Sequence, residues 1–171
     1  MAAASACRTG WRSRSPTSAS GRPSKVELAS SYLDQKYGAR LPDFRPFEDR
    51  YPLILITPAS DKRTTSTFGG LAASDATPPL EMHPDDARAR GLRSGMTVRV
   101  WNDLGEVHLP LEITETVRRG VVSSLKGAWF RTSDNGQTVS ALAPSHHADI
   151  CGGACYNDTR VDVAALEPAR P

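Results

Sequence analysis

The first group of side chains that could take part in chemistry is a run of hydroxyls. They follow the aliphatic segment Leu53–Ile56 within a short stretch of chain. The members are Thr57, Ser60, Thr64, Ser66 and Thr67. Short hydroxyl side chains after a buried strand are well suited to binding a ligand, and they are equally common in ordinary solvated loops. The residue types alone leave both interpretations open.

A second group contains residues that can ligate metals. His146 and His147 stand close to Asp149 and Cys151. Adjacent histidine side chains diverge, however, and no second ligand pair follows at zinc spacing, so we predict no metal site. Cys151 and Cys155 enclose three residues instead of the two of the usual thiol pair, which argues against a redox dithiol.

A third candidate is His83, which directly precedes Pro84. A histidine could act as a base, but proline favours the first position of a helix, and the residue before it then becomes the N-terminal cap. We therefore predict a capping role for His83 and not a catalytic one.

Composition limits the possible classes of protein. The chain has 171 residues with 39% hydrophobic residues, 13 Gly and 13 Pro, which suits one domain rich in turns. A net charge of +2, without a basic stripe interleaved with aromatics, argues against nucleic acid binding. The longest aliphatic run, Leu53–Ile56, is far shorter than the roughly 20 residues that span a membrane. Three cysteines do not form a secreted disulfide framework, so we expect a cytoplasmic globular domain.

The N-terminal part of the chain differs from the rest. Residues 1–25 consist largely of Ala, Ser, Arg, Gly and Pro and contain no acidic residue. This composition is also that of a mitochondrial transit peptide. We predict a disordered leader, because the segment cannot bury enough apolar surface to become ordered. Residues 26–50 are predicted to hold a short helix over Val26–Tyr37, ended by Gly38, and then a Pro-rich linker. Residues 167–171 form a tail.

Strands dominate the predicted domain, residues 51–166. Aliphatic runs and alternating segments indicate six of them, separated by Gly, Pro and Asn turns. They are Leu53–Ile56, Leu80–Met82, Met96–Trp101, Glu106–Thr114, Val121–Leu125 and Arg160–Val163. Helices are brief and no βαβ rhythm is present, so a small barrel is the natural way to remove exposed sheet edges.

Local signals refine this pattern. A small helix is predicted over His83–Gly91, with Gly91 as its left-handed cap, and one helical turn over Val139–Leu142. Gly105 should take a positive φ at the end of the hairpin turn that begins at Asn102. Pro110 lies within a predicted strand, where a missing N–H indicates an edge or a bulge.

The order of these blocks resembles the C-terminal domain of the molybdopterin oxidoreductases, the relatives of formate dehydrogenase, nitrate reductase and dimethyl sulfoxide reductase. The matching blocks are His83–Ala87, Gly91–Val100, Arg119–Val122 and Tyr156–Val163. The resemblance implies a mainly β fold, a six-stranded double-psi β-barrel, that binds molybdopterin guanine dinucleotide carrying molybdenum or tungsten.

The resemblance also implies that this chain is part of a larger enzyme. Pro23–Leu28 looks like the segment that precedes this domain in the family, although one glycine of that pattern is missing. The family's iron–sulfur cysteine cluster and its metal-ligating residue have no counterpart here. We therefore expect a cofactor-binding domain or detached fragment, not active by itself, whose partners are the catalytic domains or subunit. A periplasmic location would require transport with a partner subunit.

The same resemblance implies three cofactor-binding loops. A pterin dinucleotide needs hydroxyl, amide and backbone donors and an occasional cation. The implied binding residues are Thr57, Ser60, Thr64, Ser66, Thr67, Lys126, Gly127, Trp129, Tyr156 and Asn157. Trp129 could instead be a core side chain, and Asn157 could merely form a turn. Two other functions remain as alternatives: a double-psi barrel that acts as a protein-interaction adaptor, and a gene fragment without function.

Overall fold

The protein is described here by a computed structural model that covers residues 28–41, 50–68, 71, 77–148 and 152–166. The predicted disordered leader, most of the Pro-rich linker and the tail at 167–171 lie outside the described residues. The chain divides into two compact units, Met1–Phe44 and Arg45–Pro171. Each unit is described by itself.

The described part of the first unit, residues 28–41, contains one short helix, α1, at Ser31–Tyr37. Its N-terminal cap is Ser30, whose Oγ accepts a hydrogen bond from the N–H of Leu33 at 3.4 Å. Gly38 ends the helix with a φ of 68°, as predicted. The predicted start at Val26 is wrong, because the described residues Leu28 and Ala29 are not helical. The helix begins after Ser30, whose side chain accepts an N–H of the first turn.

The second unit is a closed six-stranded barrel, which confirms the mainly β, double-psi prediction. Its strands are β1 Leu53–Ile56, β2 Leu80–Met82, β3 Thr97–Trp101, β4 Glu106–Ile113, β5 Val121–Ser123 and β6 Thr159–Ala165. They close in the order β1-β5-β2-β4-β3-β6. Helical segments are brief: α2 at Pro84–Ala89, then 3-10 turns at Phe130–Thr132, Val139–Leu142 and Tyr156–Asp158.

Strand directions give the barrel two different ends. β1 is parallel to β5 and β2 is parallel to β4, whereas the other neighbouring pairs are antiparallel. The odd-numbered strands therefore end, and the even-numbered strands begin, at one end of the barrel, which we call the site rim. The opposite end is the base. Segments 57–79, 102–105 and 124–158 connect strands across the site rim, and 83–96 and 114–120 connect them at the base.

Alternation along the strands fills the barrel interior. In β4, Val107, Leu109 and Leu111 are buried, and Ile113 packs partly buried against the same core, which confirms the predicted apolar face. Pro110 lies between them without a bulge: the N–H of Leu111 bonds toward β3, so the nitrogen of Pro110 faces the β2 side. The ladder to β2 begins only at Leu111, and no donor is missed there.

The base is closed by α2 and its turns. His83 caps α2 through Nδ1, which accepts the N–H of Asp85 at 3.1 Å, as predicted. Gly91 follows the helix with a φ of 66° and Leu92 packs beneath it, 5% exposed. The Oδ2 of Asp86 accepts the N–H of Gly120 at 2.7 Å and so ties the helix to the turn before β5.

The prediction of a positive φ at Gly105 is wrong. The positive-φ glycines include Gly91 and Gly136 but not Gly105. A Cβ at Gly105 would instead lie 3.3 Å from the carbonyl oxygen of Ala141, in the 3-10 turn that packs on the hairpin. Close approach of another backbone, and not turn geometry, is what favours glycine at this position.

Candidate functional site

Three pieces of chain meet at the site rim and are joined by hydrogen bonds: the one that follows β1, the one that follows β5 and the one that precedes β6. The N–H of Lys126, after β5, donates to the carbonyl of Pro58, after β1, at 3.0 Å. The N–H of Thr57 donates to Oδ1 of Asn157, before β6, at 3.3 Å. The parallel pairing of β1 with β5, and the antiparallel pairing of β1 with β6, bring these strand ends together.

The loop that follows β1, residues 57–68, carries the hydroxyl side chains and is called the hydroxyl-rich loop. Trp129 joins it to the loop after β5. Its Nε1–H donates to the carbonyl of Ser66 at 2.6 Å, and its ring lies 4.1 Å from the guanidinium carbon of Arg131. The side chain is half-buried and does not belong to the barrel core. The core alternative for Trp129 is therefore wrong, and its visible role is to hold two rim loops together.

Gly127 makes the second contact between these loops. It has a φ of +95°, and a Cβ there would lie only 1.9 Å from the carbonyl oxygen of Thr65. Gly127 thus permits a close approach, as the resemblance implied, but the group that approaches is the backbone of the neighbouring loop. A larger residue at this position would push the two loops apart.

The hydroxyl-rich loop largely satisfies its own hydrogen bonds. The carbonyl of Thr64 accepts from the N–H of Thr67 at 3.0 Å and from the Thr67 hydroxyl at 2.5 Å. The Ser60 hydroxyl accepts the N–H of Lys62. Thr65 and Phe68 have φ values of 55° and 63°, a conformation that costs a side-chain-bearing residue about 1 kcal/mol or more. This loop is therefore a turn with a strained backbone, and its contacts with Gly127 and Trp129 hold it in place.

One cavity of about 390 Å³ opens between the three segments. Its walls come from the loop after β1, the loop after β5, the turn at Val139–Leu142 and the turn before β6. They are Thr57, Lys126, Val139, Ser140, Ala143, Tyr156 and Asn157. Four of the ten predicted residues therefore share one cavity.

The other six predicted residues do not line this cavity. They lie on the two joined loops beside it, namely Ser60, Thr64, Ser66, Thr67, Gly127 and Trp129. The sequence did not predict Val139, Ser140 and Ala143 as cavity residues. The first two belong to the predicted helical turn and Ala143 follows it, and the packing of this turn beside Asn157 has no local signal.

The groups in the cavity are suited to an anionic, hydrogen-bonding ligand. Lys126 is exposed and supplies a cation, and Ser140 supplies a hydroxyl. Asn157 uses Oδ1 to accept from Thr57, and within the described residues its Nδ2 group has no acceptor, so it can donate to a heterocycle. Tyr156 is 64% exposed and presents an aromatic face at the opening. This donor set fits a dinucleotide with a diphosphate and ring edges.

A separate charged cluster lies on the β3–β4 hairpin outside this cavity. His108 Nε2 lies 2.7 Å from Oε1 of Glu106, and Arg99 Nε lies 2.6 Å from Oε2. Hydrogen bonds from His108 and Arg99 lower the pKa of Glu106 below its ordinary value of 4.5. The cluster joins two paired strands and has no part in the cavity.

Among the described residues, no helix has the length and apolar character needed to cross a membrane.

Known proteins resemble this chain over the same region. The family described as "Molydopterin dinucleotide binding domain" matches residues 53–160. A probable oxidoreductase, YoaE, of Bacillus subtilis is 31% identical over 81% of this chain and 21% of its own length. A dimethyl sulfoxide reductase, DmsA, of Haemophilus influenzae is 32% identical over 71% of this chain and 16% of its own length. The chain thus spans about a fifth or less of these relatives.

A solved structure shows the same fold. Acetylene hydratase from Pelobacter acetylenicus superposes with a TM-score of 0.64 at 19% identity, over 83% of this chain and 23% of that protein. The family match covers more than half of the chain and coincides with the barrel from β1 into β6. The chain therefore belongs to the molybdopterin dinucleotide-binding domain family, whose cofactor is molybdopterin guanine dinucleotide.

Proposed function

We propose that this chain acts as the C-terminal cofactor-binding domain of a molybdenum oxidoreductase and contributes one wall of the cofactor site. The observation that carries the proposal is the convergence of three rim segments on one cavity, with Thr57, Lys126, Tyr156 and Asn157 facing it. In the proposal, a catalytic domain or subunit of the same enzyme closes the other side of the cofactor. The large uncovered share of the relatives supports such a partner.

Each cavity residue has a defined part in the proposal. The ammonium of Lys126 balances diphosphate charge, and the Nδ2 group of Asn157 donates to a ring edge. Thr57, whose N–H is bonded to Asn157, positions that amide. Tyr156 covers an exposed face of the ligand and excludes water from it. When bound, the cofactor supplies the redox chemistry through its metal, and this chain only binds and orients it.

Titration with a guanine nucleotide tests the proposal. Guanosine diphosphate, which carries the same base and diphosphate, is added to the full chain while amide shifts are followed by NMR. We expect shifts at Thr57, Lys126 and Asn157, and a lower affinity for Lys126→Ala by about 10-fold or more, because a charge-assisted hydrogen bond is lost. Asn157→Ala should weaken binding to a smaller extent.

Lys62→Ala is the matched control. Lys62 lies exposed on the hydroxyl-rich loop, carries the same charge and does not line the cavity. It should leave the affinity nearly unchanged. Equal losses for Lys62→Ala and Lys126→Ala would mean that the nucleotide is attracted by net charge alone, and the proposed cavity site would be refuted. Shifts confined to the base of the barrel would refute it as well.

The proposal includes the cytoplasmic location expected from the cysteine content. Fractionation of cells that produce the tagged full chain tests this part separately. Recovery in the periplasmic fraction would contradict the location without affecting the cofactor site.

A further inference from the structure

Three potential metal ligands meet beside the cofactor cavity. The ligand atoms of His146, Cys155 and Asp158 all lie within 4.8 Å of one another. His146 Nε2 and Asp158 Oδ2 are 3.2 Å apart. This set shares only His146 with the group considered from the sequence. Of that group, Asp149 and Cys151 lie outside the described residues. The new set combines an imidazole, a thiol and a carboxylate.

Two local structures bring these side chains together. His147 and Ala154 form an isolated antiparallel bridge, and the N–H of Ala148 donates to the carbonyl of Gly153 at 2.8 Å. The bridge places the residues just outside it, His146 and Cys155, opposite each other. Cys155 then caps the 3-10 turn Tyr156–Asp158, and residues three apart lie on the same side of such a turn. Asp158 therefore faces the same point.

The spacing suits a tetrahedral cation. Zinc–nitrogen and zinc–oxygen bonds of about 2.0–2.1 Å, at a tetrahedral angle, place the two ligand atoms about 3.3 Å apart. The His146–Asp158 separation of 3.2 Å already has this value. A thiolate at about 2.3 Å from the ion would lie about 3.5 Å from each of the others. Because the ligand atoms lie within 4.8 Å of one another, the Cys155 sulfur needs to approach the other two by no more than about 1.3 Å.

The softness of the ligands selects the class of cation. A thiolate with an imidazole favours zinc and similar borderline ions over magnesium or calcium, which prefer oxygen ligands. Three protein ligands leave a fourth tetrahedral position for water or another group. His146 and Asp158 also border a second cavity, of about 280 Å³, from which such a group can reach the ion.

We infer that His146, Cys155 and Asp158 bind one divalent cation of the zinc class. The cation would join the bridged pair His147 and Ala154 to the turn before β6. Tyr156 and Asn157 lie in that turn, between two of the ligands, so the bound ion holds both residues in position at the cofactor cavity. The ion-binding part stands alone, and the effect on cofactor binding rests on the proposed function.

Cobalt titration of the purified full chain, after removal of metals, tests the inference. We expect one Co²⁺ per chain, an absorption band from thiolate-to-cobalt charge transfer, and displacement of the cobalt by Zn²⁺. Cys155→Ser should abolish the band. His146→Gln and Asp158→Asn should each weaken binding by more than the roughly 10- to 100-fold caused by loss of a supporting group. Far-UV circular dichroism confirms that each variant is folded.

The neighbouring histidine supplies the matched control. His147→Gln should retain the band and the affinity, since His147 is outside the ligand set found among the described residues. A band that survives Cys155→Ser would overturn the inference, as would an equal loss in His147→Gln. Absence of the band from folded wild-type chain would overturn it too.

A second readout separates this inference from the proposed function. Addition of Zn²⁺ without nucleotide should shift the amide signals of Tyr156 and Asn157, whereas Cys155→Ser should show no such shift. A positive metal result with no guanosine diphosphate binding would refute the proposed function but leave the metal site standing. Nucleotide binding that is identical with and without Zn²⁺ would refute only the positioning role of the ion.

Discussion

The two ends of the barrel differ in the connections between their strands, although the same six strands form both ends. At the base, short connections are tied by hydrogen bonds such as Asp86 to Gly120, and the buried Leu92 seals the interior. At the site rim, long irregular segments surround a polar cavity and leave Phe68, Phe130 and Tyr156 exposed. The difference indicates that the base maintains the fold, whereas the rim carries the proposed binding groups, at the ends of strands that the base keeps in register.

Truncation of Leu92 should produce the largest effect. Leu92→Ala leaves a cavity under α2, and we expect the free energy of unfolding to fall by about 2–5 kcal/mol in urea denaturation. Leu104→Ala, at a 57% exposed position of the site rim, is the matched control and should cost no more than about 0.5 kcal/mol. Similar losses at both positions would contradict the assignment of stability to the base.

Substitution of Gly127 should affect the rim more than the base. Gly127→Ala combines a positive φ with a backbone clash at Thr65, so we expect a loss of about 2–4 kcal/mol or displacement of the hydroxyl-rich loop. Gly136→Ala shares the positive φ but has open space around it, and should cost only about 1 kcal/mol. Denaturation and amide shifts of Thr64–Phe68 measure the difference, and equal behaviour would exclude the clash.

Removal of the Asp86 carboxylate tests the tie between α2 and the turn before β5. Asp86→Ala leaves the N–H of Gly120 without its charged acceptor, and we expect a loss of about 1.5–3 kcal/mol. Asp85→Ala removes a neighbouring acid from the same helix end. It breaks ion pairs with Arg88, Arg119 and His83, each worth about 1 kcal/mol or less. Nucleotide affinity should not change in either variant. A clear change would show that the two ends are coupled.

The smallest expected effect is the acid sensitivity due to Glu106. Its pKa is lower in the folded protein than its ordinary value of 4.5, because His108 and Arg99 donate to the carboxylate. The resulting stabilisation is complete above that ordinary value and is lost as the pH falls through the folded pKa. Melting temperatures of wild type and Glu106→Gln should therefore converge on acidification. A difference that stays constant with pH would contradict this sign.

Strand positions could be predicted because alternation and turn residues are local signals. The apolar face of β4 and the cap formed by His83 follow directly from neighbouring residues. Gly105 was misjudged because its constraint comes from Ala141, which is close only after the barrel has closed. Pro110 needed no bulge, since the adjacent ladder begins one residue later. Both of these errors involve a contact with a distant part of the chain.

The site was only partly predictable for the same reason. Family resemblance implied the three loops, but not which side chains face the common cavity and which ones fasten the loops together. Ser140 could not be predicted, because the local sequence does not distinguish a serine that lines a cavity from a serine in an ordinary polar turn. The set His146, Cys155 and Asp158 matches no familiar ligand spacing. The isolated bridge between His147 and Ala154 helps to bring these side chains together, and the sequence gives no signal of that bridge.

The pairing of β1 has a consequence for synthesis of the chain. Both of its neighbours, β5 and β6, are translated much later, with Val161 more than a hundred positions after Leu53. At roughly 5–20 residues per second, the aliphatic run Leu53–Ile56 waits several seconds or more on the ribosome without a partner. An unpaired aliphatic strand is exposed to aggregation during this time, and it is fully paired only after the last strand of the barrel has emerged.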